Sequence, residues 1–257
     1  MQNEYNKTTC NVQKKHDIAE FYSNYAISWD QRFRENKSTV HFLNRRLDII
    51  KDFAGFLGDK CVLEVGCGTA FHLFSLSEYF KYGIGVDIAE KMLEICRKNA
   101  LYLKQPEKLK FICDDAETLQ KIASRSIDIV FFVGLIEHLL NPLNFLRNCR
   151  RVLKRNGKLI GITPNRYSPW YSLVGPLVRK SMKHLSTDRY YSKSELCNML
   201  SSTGFTDCIL NYWGFVPPGD FPATLSSILR KCEIVAEKTF LRVLAGGLSI
   251  RAIKANL

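Results

Sequence analysis

Hydrophobic positions change their period several times along this chain, and each change marks an element. From Asp17 to Phe33 the residues Ile18, Phe21, Tyr22, Tyr25, Ala26, Trp29 and Phe33 recur at helical spacing, predicting a helix with an aromatic face. A second helix is predicted over Val40–Phe56, with Phe42, Leu43, Leu47, Ile50 and Phe53 on one side and Gly58 as its stop. Short apolar runs then alternate with amphipathic ones. Strands are predicted at Val62–Val65, Tyr82–Asp87, Leu109–Cys113, Ile127–Val133 and Lys158–Asn165, with helices at Phe71–Phe80, Glu90–Ala100 and Pro142–Leu153. The run Ile127–Val133 is almost wholly apolar, as suits a central strand covered on both faces.

Beyond Asn165 the alternation breaks. Residues 166–190 interleave Trp170, Tyr171, Leu173, Val174, Leu177 and Val178 with Arg179, Lys180, Lys183 and His184. Three readings of this basic amphipathic segment stand open: packing on the protein, capping a substrate pocket, or lying on a membrane surface. Ser192 and Glu195 then form a capping box for a helix over Lys193–Thr203, stopped by Gly204. A strand over Phe205–Tyr212, a Pro/Gly loop, a helix over Ala223–Leu244 and a strand over Leu248–Ala255 complete the pattern. Together these predict an α/β fold, a Rossmann-like doubly wound sheet of seven strands ending in an antiparallel pair. Residues 17–257 form one domain, and the polar stretch 1–16 is expected as a disordered tail.

Candidate chemistry gathers at the first strand–turn–helix. Glycine at Gly66 and Gly68 lets backbone approach a ligand closely, and the following helix points free N–H groups at it. The next strand ends in Asp87, the position from which a Rossmann site reads ribose hydroxyls. Phe71 stands where the dinucleotide fingerprint needs its third glycine, and Glu64 would repel a pyrophosphate, so a nicotinamide cofactor is the minor reading.

The run Glu64-Val65-Gly66-Cys67-Gly68-Thr69, followed by the strand-end Asp87, resembles the first two motifs of the class I S-adenosylmethionine (SAM)-dependent methyltransferases. Strand Ile127–Val133, the Glu137-His138 turn, its helix, Asn156-Gly157 and a strand ending Thr163-Pro164-Asn165 resemble the same family, in the broad group that includes ubiquinone-biosynthesis O-methyltransferases. The resemblance implies SAM as cofactor, S-adenosylhomocysteine as product, and a SAM-binding core over 57–165. In that frame Gly66 and Gly68 approach the methionine part, Glu64 holds its amino group or orients the turn, and Asp87 with Ile88 takes the ribose. Asp115 with Ala116 reads the adenine amine, with Asp114 as competitor, and Val133 flanks the sulfonium. His138, with Glu137, is the candidate general base, the alternative being that both brace the loop. Tyr22, Tyr25 and Trp29 are candidate lid residues, and Asn165 and Trp170, in the 166–191 recognition insertion or at its edge, are candidate substrate contacts. Some relatives carry a Glu-x-x-Glu-His metal site; Gly134 replaces its first ligand, so no metal is expected.

Composition adjusts this picture only at its edges. The 257 residues carry 37 Lys and Arg against 25 Asp and Glu, a net +12, which suits an anionic small substrate, a membrane surface or nucleic acid, or only a solvated surface. Nucleic acid is the lesser option, because no RNA-binding module is appended. Nine cysteines without a C-x-x-C pair argue against a zinc site and a disulfide framework, and Cys61, Cys113 and Cys149 fall in apolar runs as reduced core residues. No leader or membrane-spanning run is present, so a cytoplasmic protein, at most peripheral to a membrane, is expected. The function predicted is methyl transfer to an oxygen or nitrogen of a small lipophilic or anionic molecule. An RNA methyltransferase and a non-catalytic SAM binder are the alternatives.

Overall fold

The short apolar runs become strands β1 (Cys61–Val65), β2 (Tyr82–Asp87), β3 (Leu109–Cys113), β4 (Ile127–Val133), β5 (Leu153–Pro164), β6 (Phe205–Trp213) and β7 (Gly247–Lys254). The helices are α1 (Gln2–Glu35), α2 (Lys37–Ala54), α3 (Phe71–Ser75), α4 (Glu90–Tyr102), α5 (Pro142–Val152) and α6 (Lys193–Ser202). This computed structural model describes residues 2–35, 37–174, 188–215, 235–236 and 238–255. Leu177, Val178, Arg179, Lys180, Lys183, His184 and most of the helix expected over Ala223–Leu244 lie outside the described residues.

One sheet runs in the order β3-β2-β1-β4-β5-β7-β6. The pairs from β3 through β5 are parallel, while β7 lies antiparallel to both β5 and β6. Chain order reverses between β1 and β4, and the crevice beyond the strand ends at such a switch point is where open α/β sheets bind ligands. β4 shows why its sequence is apolar throughout. Val130 and Phe132 join one core with Phe145, Cys149, Leu196 and Leu200, and Ile129 and Phe131 join the opposite core with Ile50, Leu73, Leu93 and Cys96. Alternation at period two thus buries both faces of the same strand.

Caps fix several helix starts. Asn141 Oδ1 accepts the Asn144 N–H at 3.0 Å ahead of α5, and the Ser192–Glu195 capping box opens α6 as its sequence predicts. Three boundaries differ most from the sequence expectation. α1 begins at Gln2, so residues 2–16 of the stretch expected as a disordered tail form its first half; Lys15 within it pairs with two carboxylates of the domain. α3 ends at Ser75 rather than Phe80, because Ser77 and Tyr79 close tighter turns onto Phe74 and Leu76. Asn156-Gly157 is a bulge within β5 rather than a turn before it. Asn156 takes a left-handed φ of 57°, and the pairing with β4 slips between Ile127 and Ile129.

Helix α1 reaches across the strand ends. Ala26 packs with Ala89 and Met92 of the β2–α4 corner, flanked by Tyr22 and Trp29. That contact brings Tyr22 and Trp29 of α1 to the crevice.

Candidate functional site

The glycine turn is built to expose backbone. Gly66 and Gly68 have φ of 68° and 52°, a region in which a side chain is strained. The N–H groups of Gly66 and Cys67 both donate to the Val86 carbonyl, at 2.8 and 3.0 Å, which folds the turn onto β2. Asp87 locks it from the other side: its Oδ2 accepts the Gly68 N–H at 2.8 Å and its Oδ1 the Ala89 N–H at 2.9 Å. Each carboxylate oxygen keeps a second lone pair for a hydroxyl donor. Burial pushes the Asp87 carboxyl above its ordinary range, against the pull of its backbone N–H partners.

Glu64 is fully buried, and both its oxygens are engaged within the turn. Oε1 lies 3.1 Å from His72 Nδ1, and Oε2 accepts the Leu73 N–H at 3.1 Å. Each oxygen keeps a second acceptor position, as in Asp87, and Glu64 also lines the cavity, so the arrangement accommodates both roles, orienting the turn and holding an amino group. Asp114 and Asp115, left as competitors by the sequence, have different environments. Asp114 accepts the Asp115 and Lys121 N–H groups and is buried. Asp115 remains half-buried, taking the Glu117 N–H on Oδ1 and Lys15 Nζ on Oδ2 at 2.6 Å. Lys15 also meets Glu117 at 2.7 Å, so one lysine of α1 ties down this rim of the crevice.

Beyond β4 the chain makes a short 3-10 turn, Ile136–His138. Glu137 is buried beneath it, with Oε2 accepting the Thr163 hydroxyl at 3.0 Å. His138 Nδ1 lies 2.8 Å from Asp188 Oδ1, and the Asp188 side chain is only 2% exposed. Burial pulls the His138 pKa down, but the hydrogen bond to Asp188 and the charges of Glu137 and Asp188 outweigh it, so the net shift is upward. Tyr22 packs edge-on to the His138 ring at 6.2 Å. Burial pushes the Tyr22 phenol well up, and the neighbouring Asp188, Glu137 and Asp87 add to the shift.

A single cavity joins these parts. It is lined by Glu64, Gly66, Gly68, Asp87, Ile88, Asp115, Ala116, Val133 and His138, with Tyr22 and Trp29 from α1. Residues expected at the site but absent from this lining are Tyr25, Glu137, Asn165 and Trp170. Tyr25 stacks on Phe21 at 5.8 Å, and Trp170 opens a π-helical turn, Trp170–Val174. Asn165 is fully buried and spends its amide on the Val243 and Ala245 carbonyls, both at 2.8 Å. It ties the end of β5 to the approach to β7.

The lining also holds residues that sequence reasoning passed over: Lys15, Arg46, His72, Leu135 and Leu139. Arg46 sits among the charges of α2 with nothing local to single it out; only tertiary packing desolvates it, which lowers its pKa. Two polar atoms of this lining, Arg46 Nε and His72 Nε2, are buried without a hydrogen-bond partner among the described residues. Orphaned buried groups of this kind suit a polar ligand alongside them. Among the described residues no three His, Cys, Asp or Glu side chains converge as a metal site.

Residues 63–161 match the family model described as a methyltransferase domain. A ubiquinone biosynthesis O-methyltransferase from Coxiella burnetii is 32% identical over 164 residues, covering 63% of this chain and 68% of the relative. The chain belongs to the SAM-dependent methyltransferases of class I. A second relative of the same name, from Idiomarina loihiensis, is 29% identical over 210 residues, covering 78% of this methyltransferase and 84% of its relative. Among solved structures, a SAM-dependent methyltransferase from Archaeoglobus fulgidus superposes with a TM-score of 0.61 at 24% identity, covering 90% and 100% of the two chains. One from Thermotoga maritima gives 0.63 at 20% identity, covering 91% and 99%. These two bear on the fold alone. The methyltransferase uses SAM, and its turn, strand-end acid and orphaned polar atoms make a donor and acceptor set suited to an amino acid joined to a nucleoside.

Proposed function

We propose that this methyltransferase acts on a hydroxyl oxygen of a small, lipophilic or anionic molecule, with His138 as general base. The observation that carries the reading is the sharing of one cavity. His138, held by a buried carboxylate, lines the same space as Asp87 and the glycine turn. SAM supplies a methyl group already activated by its positive sulfur. The protein's part is then to align an acceptor and, for a hydroxyl, to take its proton. A neutral amine acceptor needs no such base to attack. The O-methyltransferase name of the two relatives supports an oxygen acceptor.

In this reading Asp87 takes the ribose hydroxyls, with Ile88 beside it. Asp115 accepts from the adenine amine, and Ala116 flanks the ring. Gly66 and Gly68 admit the methionine part, whose carboxylate the Arg46 guanidinium neutralises, and Val133 lies by the sulfonium. Tyr22 and Trp29 of α1 cover the cavity and exclude water. Residues 57–165 act as the cofactor core and 166–191 as the recognition insertion. A lipophilic acceptor would be reached at a membrane surface, and the basic, apolar segment 166–190 is the part of the sequence suited to that contact. Among the described residues no helix is long and apolar enough to cross a membrane. Nine cysteines without a C-x-x-C pair suit a reducing, cytoplasmic setting.

Transfer of isotope-labelled methyl from SAM into a cell extract, followed by separation into organic, small polar and nucleic-acid fractions, tests the reading. Label is expected in the organic or small polar fraction, on an oxygen. Label in nucleic acid, or on nitrogen, would overturn it.

A further inference from the structure

Asp188 lies 50 residues beyond His138 in the chain and outside the motifs by which the sequence was read. It belongs to the short segment 188–191 at the end of the insertion, where Tyr191 bridges to Asn165 at the end of β5. Two backbone bonds seat this segment: the Arg189 N–H donates to the Glu137 carbonyl at 2.8 Å, and the Arg166 N–H donates to the Tyr191 carbonyl at 3.1 Å. A bridge between Asn165 and Tyr191 and the full burial of Tyr191 hold it further. The carboxylate at its head is thereby fixed against a histidine ring on a different loop.

We propose that Asp188 is the positioning residue of methyl transfer, holding His138 by Nδ1 so that Nε2 takes the proton of the acceptor hydroxyl. The proposal rests on the hydroxyl-acceptor reading given above. A carboxylate can only accept a hydrogen bond, so the Nδ1 facing it carries the ring proton and Nε2 keeps its lone pair. That is the tautomer a base on this cavity requires. The acceptor's O–H proton passes to Nε2 and its oxygen bonds to the methyl carbon. The electron pair of the breaking carbon–sulfur bond stays on sulfur as a neutral thioether. The imidazolium so formed faces Asp188 from one side, with Glu137 on its own turn and the Tyr22 phenol edge-on from α1; its proton then leaves to solvent. Arg189, next in the chain, is exposed and its guanidinium lies over the Tyr191 ring at 5.5 Å.

The placement has a further consequence. Asp188 comes from the end of the insertion, so the base is complete only when residues 188–191 are docked on the Glu137 carbonyl.

The test compares wild type with Asp188→Asn, Asp188→Ala and Asp188→Glu in the full chain. Methylation of 4-methylcatechol is followed by release of S-adenosylhomocysteine, SAM affinity by calorimetry, and the His138 ring nitrogens by 15N NMR, with His138→Gln to assign them. Asp188→Asn and Asp188→Ala are expected to lower kcat about 100-fold, with the SAM Kd within twofold of wild type. The acidic limb of the pH–rate profile should move to lower pH, because the partner that raises the His138 pKa is gone, and Asp188→Glu should recover part of the rate. In the NMR spectrum the Nδ1–H form of neutral His138 should dominate only while the carboxylate is present. Wild-type kcat and an unmoved limb in Asp188→Asn, or an unchanged tautomer in Asp188→Ala, would overturn the proposal. Should wild type fail to methylate the catechol, that counts against the hydroxyl-acceptor reading alone. The NMR arm still decides whether Asp188 holds the ring.

Discussion

Asp87 Oδ2 accepts the Gly68 N–H at 2.8 Å, so the acid that ends β2 also holds the glycine turn that ends β1. One side chain thus shapes the floor of the cavity and offers acceptors to whatever lies on it. Asp87→Ala removes both functions. SAM affinity is expected to fall at least about 100-fold, from two lost charge-assisted hydrogen bonds at roughly 1.5–3 kcal/mol each. Asp87→Asn, which keeps one acceptor oxygen for the Gly68 N–H, should lose less. Calorimetric titration with SAM checks both, and an unchanged affinity in Asp87→Ala would remove the ribose assignment.

Gly66 and Gly134 separate strain from collision. Both hold left-handed φ, 68° and 65°, but a Cβ on Gly66 would lie 2.8 Å from Leu135 Cδ1, whereas on Gly134 the nearest atom is Glu137 Oε1 at 3.6 Å. Gly134→Ala should cost only the backbone term, about 1–2 kcal/mol. Gly66→Ala adds overpacking of roughly 1 kcal/mol or more and displaces a residue of the cavity wall. Chemical denaturation should rank Gly66→Ala as the less stable, with the larger loss of SAM binding.

With His138 as the base proposed above, its upward shift sets a pH dependence for the reaction. Its base form is present only above its own pKa, which the Asp188 hydrogen bond and the Glu137 charge hold above the ordinary 6.5. The rate should therefore fall on the acid side with a midpoint above 6.5 and a slope of one proton. His138→Gln should lose that limb and about 100-fold in kcat, while still binding SAM. A pH profile of initial rates for both proteins decides it.

Burial raises the Glu137 carboxyl, with the His138 charge and the Thr163 hydroxyl offsetting only part of the shift. A carboxyl raised in the folded state binds its proton more tightly there than in the unfolded chain. Folding therefore loses stability as pH climbs from the ordinary 4.5 through the raised folded value, and the loss is complete above it. Glu137→Gln cannot ionise and keeps an oxygen for the Thr163 hydroxyl. Its Tm should match wild type near pH 4.5 and exceed it increasingly as pH rises from there through the raised folded value. A gap that is constant or reversed would show that the charge of Glu137 is not a net burden on the fold.

The family and its fold were legible in the chain alone, because both rest on short-range rules. Alternation of period and the apolar run of β4 specify a doubly wound sheet, and the spacing of Gly66, Gly68 and Asp87 marks a glycine turn and a strand-end acid that meet in one cavity. The boundaries that differ, at α1, α3 and the Asn156 bulge, depend on partners remote in sequence. So does most of the site. Lys15 meets Asp115 across 100 residues, and Asp188 meets His138 across 50. Arg46 and His72 matter only because folding buries them beside the turn. Asn165 was expected to face substrate, yet the packing of residues 243–245 claims its amide. Local pattern determines which residues enter strands, turns and helices. Which polar groups are desolvated together, and so which acid orients which base, is decided only when distant segments close over the strand ends, since ion pairing and burial act through space and leave no period in the sequence.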